Sequence, residues 1–222
     1  MNKNLTVLCV LQGNYLDRGE EYVFKLREMC RRHLPEHEFF CLTDQLEPWA
    51  EQCNKLPMRS DLKGWWAKVE LFSLWPLIPG VKVYFDLDVV ITGPVHLPDP
   101  HDKLLAPDDF SYPIWGNHRR ALSADQMRWL GGPGTINSSM MVWRGETGRE
   151  VWDSYIPECS DIYHGDQNWI TACLYPQDKL APLPRNLVNS FRYNDGIPSP
   201  VIAYHGPFKP HDESSYWRGL EV

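Results

Sequence analysis

The six cysteines of this chain, Cys9, Cys30, Cys41, Cys53, Cys159 and Cys173, are scattered, with no Cys-x-x-Cys pair among them. That spacing excludes a Cys-rich zinc site and a dense disulfide framework, and it favours a reduced, cytoplasmic setting. No apolar stretch approaches the roughly 20 residues of a membrane span. Met1-Asn2-Lys3-Asn4 runs directly into a strand-like segment, which argues against a cleavable signal peptide. Positive charge is also scarce. The formal net charge of −7 argues against broad binding to nucleic acid or anionic membranes. Two local basic runs, Arg31-Arg32-His33 and His118-Arg119-Arg120, read as solvated surface. There is no internal repeat, no low-complexity tract and no domain linker.

What is present fits one α/β domain of 222 residues with a 43% hydrophobic fraction, enough to bury a substantial core. Ten tryptophans are many for this length; most should fill the core, and flat indoles also suit sugar or base pockets. Leu5–Leu11 reads as a first, central strand, broken by Gln12-Gly13-Asn14-Tyr15. Asp17 is placed to cap a helix reaching His33, with Tyr22, Phe24, Leu26 and Met29 as its apolar positions. Glu38–Leu42 reads as a second strand, and this β-α-β opening predicts a doubly wound sheet. Asp61 is placed to cap a helix to about Leu74, with Trp65, Trp66, Val69, Leu71, Phe72 and Trp75 on its apolar sides. Leu104–Ala106 and Ile136–Trp143 read as strands, and Arg149–Tyr155 and Asp166–Leu174 as helices. The Pro-rich stretch 176–200 reads as a surface return before a last strand, Val201–Tyr204. The irregular segment 110–135, with Tyr112, Trp115 and Gly131-Gly132-Pro133-Gly134, reads as a functional loop.

The most informative residues are 81–90, Val-Lys-Val-Tyr-Phe-Asp-Leu-Asp-Val-Val. Val81–Phe85 has the β-branched and aromatic make-up of a buried strand. Asp86 and Asp88 then fall where that strand leaves the sheet, and strand ends in open α/β sheets face the ligand crevice. Two acids beside a hydrophobic strand are costly unless a cation pairs with them. Hard oxygen ligands at this spacing suit Mg²⁺ or Mn²⁺, which also take ligands from substrate phosphates. His205-Gly206-Pro207-Phe208-Lys209-Pro210 follows another short strand. There a neutral His205 suits Mn²⁺, Lys209 suits a phosphate and Gly206 allows close backbone approach. Taken by itself, this segment reads first as a Gly/Pro turn, and Asp166 first as a helix N-cap.

Leu5–Leu11, Lys68, Tyr84–Asp88, Asn137-Ser138-Ser139, Asp166-Gln167 and His205–Pro210 occur in the order seen in GT-A-fold glycosyltransferases. The chain most resembles the glycogenin-like and bacterial lipopolysaccharide galactosyl- and glucosyltransferase group, glycosyltransferase family 8, over residues 5 to about 211. It departs from the family ending in having Gly206 directly after His205, and His211 where a Trp is frequent. The resemblance implies an α/β fold, a single Rossmann-like GT-A domain whose mixed central sheet is flanked by helices. Residues 1–110 would form the nucleotide-binding half. Residues 111–222 would form the acceptor-side half, ending in the metal–diphosphate motif.

The same resemblance implies a metal-dependent hexosyltransferase that uses a UDP-hexose donor and retains anomeric configuration. Asp86, Asp88 and His205 would hold Mn²⁺ or Mg²⁺, with Lys209 and Gly206 at the leaving diphosphate. Gly13, Asn14 and Tyr15 would meet the nucleoside, and Lys68, Asn137 and Ser138 the donor. Asp166 would bond sugar hydroxyls, and Gln167 would stabilise charge at the reacting carbon. If the reaction inverts instead, Asp108, Asp109 or Asp166 must act as general base. A glycan and a modified nucleobase both remain open as acceptor, with segment 110–135, Phe191-Arg192-Tyr193 and Tyr216-Trp217 on the acceptor side. Two rivals are a nucleotidyltransferase, disfavoured because Gln12–Asp17 lacks a basic Gly-rich loop, and a non-catalytic nucleotide-sugar binder.

Overall fold

The computed structural model describes residues 5–47, 49, 53–110, 135–193 and 196–221. Its centre is a seven-stranded mixed sheet in the order β3-β2-β1-β4-β7-β6-β8. The strands are β1 (Leu5–Leu11), β2 (Glu38–Thr43), β3 (Asn54–Pro57), β4 (Val81–Phe85), β6 (Leu104–Ala106), β7 (Met140–Arg144) and β8 (Leu180–Pro182). β1 lies between β2 and β4, parallel to both, with Val7 opposite Phe39 on one side and Val83 on the other. The sequence expectation of a central first strand therefore holds. β7 runs antiparallel to β4, with Phe85 opposite Met140. A second sheet joins β5 (Val89–Ile91), β10 (Val201–Ala203) and β9 (Val188–Ser190), with β10 antiparallel to β5.

Side-chain alternation in β1 explains the two-sided core. Val7, Cys9 and Leu11 face one apolar cluster with Tyr22, Val23, Leu26 and Met29 of helix α1 (Gly19–His33) and the second sheet. Leu8 faces the other, with Val69, Phe72, Tyr84, Trp143 and Ile170. The helices Arg149–Asp153 and Asp166–Leu174 pack on this second side, the latter with the limits its sequence predicts. All six cysteines are free.

Several local expectations are corrected. Asp17 does not cap α1: Tyr15–Asp17 is a 3₁₀ turn with Leu16 and Asp17 at positive φ, and Arg18 occupies the cap position. Asp61 caps nothing either, because Gly64–Leu74 is a 3₁₀ helix that starts after Lys63. Trp65, expected on an apolar side, is instead 61% exposed. The stretch 176–200 is more than a surface return. It supplies β8 and β9, and Val188, Asn189 and Ser190 are buried. Ile136 only bridges to Asp108, and Asn137–Ser139 form a turn before β7.

Candidate functional site

Strand pairing brings distant segments to the end of β4. Because β7 is antiparallel to β4, the turn before β7 lies beside the end of β4, and the Asp86 N–H donates to the Ser139 carbonyl at 2.8 Å. β5 begins right after Asp88 and pairs with β10, with Val89 opposite Ala203. That pairing places Tyr204 and His205 beside the acids, and the Tyr204 N–H donates to the Asp88 carbonyl at 3.1 Å. The result is a cavity of about 440 Å³. Of the residues singled out from the sequence, Tyr15, Lys68, Asp86, Asp88, Asn137, Ser138, Asp166, Gln167, His205, Gly206 and Lys209 all line it. Gly13 and Asn14 do not. The Gly13 N–H donates to Asp44 at 2.9 Å, and the Asn14 amide donates to Asp17 at 2.9 Å.

Each acid of the strand end meets one ammonium and one phenol. Lys68 Nζ lies 2.9 Å from Asp86 Oδ1 and donates to Ser138 Oγ at 3.0 Å. It also lies 3.5 Å from Asp166 Oδ2. The Tyr84 hydroxyl donates to Asp86 Oδ1 at 2.5 Å. Lys209 Nζ pairs with Asp88 Oδ2 at 2.6 Å, and the Tyr15 hydroxyl donates to the same oxygen at 3.1 Å. Two carboxylates so close repel, and alternating them with ammonium groups offsets this cost.

Burial sets the proton affinities. It raises the Asp88 pKa, reinforced by the charge of Asp86 and opposed by Lys209. It raises Asp166 as well, with Lys68 opposing. For Lys68, burial favours the neutral form, yet Asp166 and Asp86 outweigh it, so the ammonium is held above its usual range. His205 is pushed down by burial, with Asp86 opposing, and its Nε2 lies 2.6 Å from Ser190 Oγ.

Helix Asp166–Leu174 presents Asp166 and Gln167 from its first turn. Gln167 also lines the cavity, and its Nε2 donates to Asp109 at 3.5 Å. Asn137 Oδ1 accepts from the Ser139 N–H at 3.1 Å and so shapes the turn before β7.

Some residues in or beside the cavity escape the sequence reading. Tyr84 looks like strand core, and Ser190, the partner of His205, sits in the Pro-rich return. Gln12 accepts from the Gly64 N–H at 2.7 Å and ties β1 to the 3₁₀ helix. The aromatic tail also differs from expectation. Trp217 is buried against Tyr22 at 4.9 Å, and the Tyr216 hydroxyl bonds His33 at 2.8 Å, so both serve packing on α1. Phe191 stacks on Tyr204 at 4.4 Å. Arg31 and Arg32 pair with Glu28 at the surface. His118-Arg119-Arg120 and the rest of 111–134 lie outside the described residues. Among the described residues no helix is long and apolar enough to cross a membrane.

The mixed sheet and strand-end cavity define a GT-A-like glycosyltransferase fold. In particular, the chain is similar to the galactosyltransferase LgtC, solved with donor and acceptor sugar analogues. The TM-score is 0.65 at 14% identity over 96% of this chain and 92% of that one. It is also similar to the bifunctional glycosyltransferase WbbM (TM-score 0.61, 13% identity, 95% of this chain and 47% of that one). A third similar structure is the Streptococcus pneumoniae glycosyltransferase GlyE, with TM-score 0.61 and 15% identity over 100% of this chain and 58% of that one. No family model matches the sequence, and no curated protein matches it.

Proposed function

We propose that this protein is a hexosyltransferase that takes its sugar from a nucleotide diphosphate donor, with UDP-hexose as the donor class, and passes it to a glycan hydroxyl. One observation carries this reading: a single cavity of donor size holds Asp86, Asp88, Lys68, Lys209 and the Asp166-Gln167 pair. Fold similarity to glycosyltransferases supports it.

Among the described residues, no three His, Cys, Asp or Glu side chains converge as a metal site. Two strand-end carboxylates, Asp88 buried and Asp86 half-buried, are nevertheless hard oxygen donors that fit Mn²⁺ or Mg²⁺. His205 would complete the set by exchanging Ser190 for the ion. A divalent ion held there would neutralise charge on the leaving diphosphate.

The remaining chemistry belongs to the chain's own side chains. Lys209 supplies a positive charge where the diphosphate leaves, the preorganised electrostatic stabilisation that often dominates such catalysis. Lys68 bridges Asp86 and Asp166 and so couples the diphosphate end of the cavity to the sugar end. Asp166 accepts hydrogen bonds from sugar hydroxyls, and the Gln167 carbonyl faces the carbon that becomes electron-poor. Retention follows if the acceptor attacks on the face the diphosphate leaves, since a phosphate oxygen then accepts its proton.

The test is hydrolysis of UDP-glucose and UDP-galactose with Mn²⁺, with and without EDTA, by the wild type and Asp88→Asn. Turnover abolished by EDTA and by Asp88→Asn is expected. Full activity of a folded Asp88→Asn variant would sink the assignment.

A further inference from the structure

The mouth of the cavity carries an indole that the donor does not account for. Among the described residues, Trp65 is the only large exposed hydrophobic that lines this cavity. Leaving so large an apolar surface in water forgoes a sizeable burial energy, so its position at an opening points to a partner that covers it. Trp65 lies in the first turn of the 3₁₀ helix Gly64–Leu74, three residues before Lys68. A 3₁₀ helix has three residues per turn and rises about 2 Å per residue, so side chains at i and i+3 eclipse. Trp65 therefore stands one turn, about 6 Å, along the same face from Lys68. In an α-helix the two would diverge by about 60°. One face thus carries both a cation at the cavity floor, on Asp86 and Asp166, and an indole at its rim.

The indole is also braced from behind. A Cβ on Gly165 would meet Trp65 Cε3 at 3.4 Å, so the ring lies close against that backbone. The imidazole of His164 sits 5.7 Å from the ring of Trp65, tilted by 57°. Gly165 immediately precedes Asp166 and Gln167, so the ring overlooks the end of the cavity assigned to the sugar.

We propose that Trp65, flanked by His164, is the platform on which a pyranose ring of the acceptor stacks. This rests on the donor reading above: with the nucleotide-sugar filling the cavity, its mouth is where the acceptor must enter. The apolar C–H face of a pyranose matches a flat indole, while its hydroxyl edge stays free to point at the reacting carbon.

The experiment is NMR of the UDP- and Mg²⁺-saturated protein, following the Trp65 indole N–H, assigned as the signal lost in Trp65→Phe. The probes are methyl α-D-glucopyranoside, methyl β-D-galactopyranoside and lactose. At least one is expected to shift that signal saturably. Trp65→Ala should weaken its binding at least about tenfold, and Trp65→Tyr, which keeps a flat ring, should recover most of the loss. The other indole signals report that the variants remain folded. The proposal fails if none of the three sugars moves the signal. It also fails if nuclear Overhauser contacts join uracil H5 or H6 to the Trp65 ring, which would make Trp65 the base platform. Absence of any UDP binding would instead remove the donor reading on which the proposal stands.

Discussion

Replacing Lys209 by methionine should tighten divalent-metal binding to the nucleotide-free protein, although Lys209 is assigned to the same reaction as the metal. Its ammonium occupies Asp88 Oδ2 at 2.6 Å, with 18% and 12% of the two side chains exposed. At an effective dielectric of about 20, the Coulomb attraction at that distance is roughly 6 kcal/mol. Desolvation cancels most of it, and hydrogen bonds to charged groups contribute about 1.5–3 kcal/mol net. A cation binding Asp88 must displace this ammonium. Lys209→Met, of similar length and uncharged, removes the competitor, and the same energy converts to roughly 10- to 150-fold tighter Mn²⁺ binding. Lys68 and Tyr84 remain on Asp86, so one acid stays paired. Lys209 also lowers the pKa of Asp88, so its loss favours the protonated carboxyl. Titrations at about pH 8 keep proton competition small. With UDP present the order should reverse, because the diphosphate draws Lys209 off Asp88 in the wild type and the variant has no ammonium to offer it. Metal and nucleotide are then positively coupled, and the coupling is reciprocal. Isothermal titration of Mn²⁺ with and without UDP reads both effects. Equal or weaker Mn²⁺ binding by nucleotide-free Lys209→Met would refute the competition.

Two further predictions concern the scaffold. Gly148→Ala should cost about 2–4 kcal/mol in urea unfolding, because Gly148 has φ +85° and a Cβ would stand 2.6 Å from Phe72 Cδ1; a change below about 0.5 kcal/mol would contradict the packing of Phe72 there. Lys82→Met should stabilise the protein at pH 7. Burial lowers the pKa of Lys82 to about 8, and among the described residues its Nζ donates a hydrogen bond to the Gly145 carbonyl alone, at 2.8 Å. The unfolded chain binds this proton more tightly, so the cost is fully present below pH 8 and fades as pH rises towards the ordinary lysine range. Denaturant unfolding at pH 7 and pH 9.5 should show an advantage of about 1 kcal/mol at pH 7, discounted for solvent near the ammonium, that shrinks at the higher pH; an advantage that grows with pH would contradict the buried ammonium.

Legibility followed the length of the signal. β1, α1, β4 and helix Asp166–Leu174 have enough apolar residues at the right period to be found from sequence. β5, β8 and β9 have three residues each, and two of them fall in a Pro-rich stretch, where no period can develop. The acids at the end of β4 were readable because their own strand announces them. Their companions arrive through pairing, β7 on β4 and β10 on β5, and no spacing along the chain encodes that pairing.

Trp65 is the clearest case of a residue misplaced by period alone. The segment 64–74 is apolar on nearly every side, so the α and 3₁₀ readings bury almost the same residues. Only the winding decides what stands in line with Lys68. A three-residue turn sets Trp65 over the cavity mouth, where an α-helical turn would rotate it away. The tie from Gln12 to the Gly64 N–H, immediately before Trp65, fixes where that turn begins. A residue just past the end of β1 thereby helps to place the rim of a site whose floor is built at the end of β4.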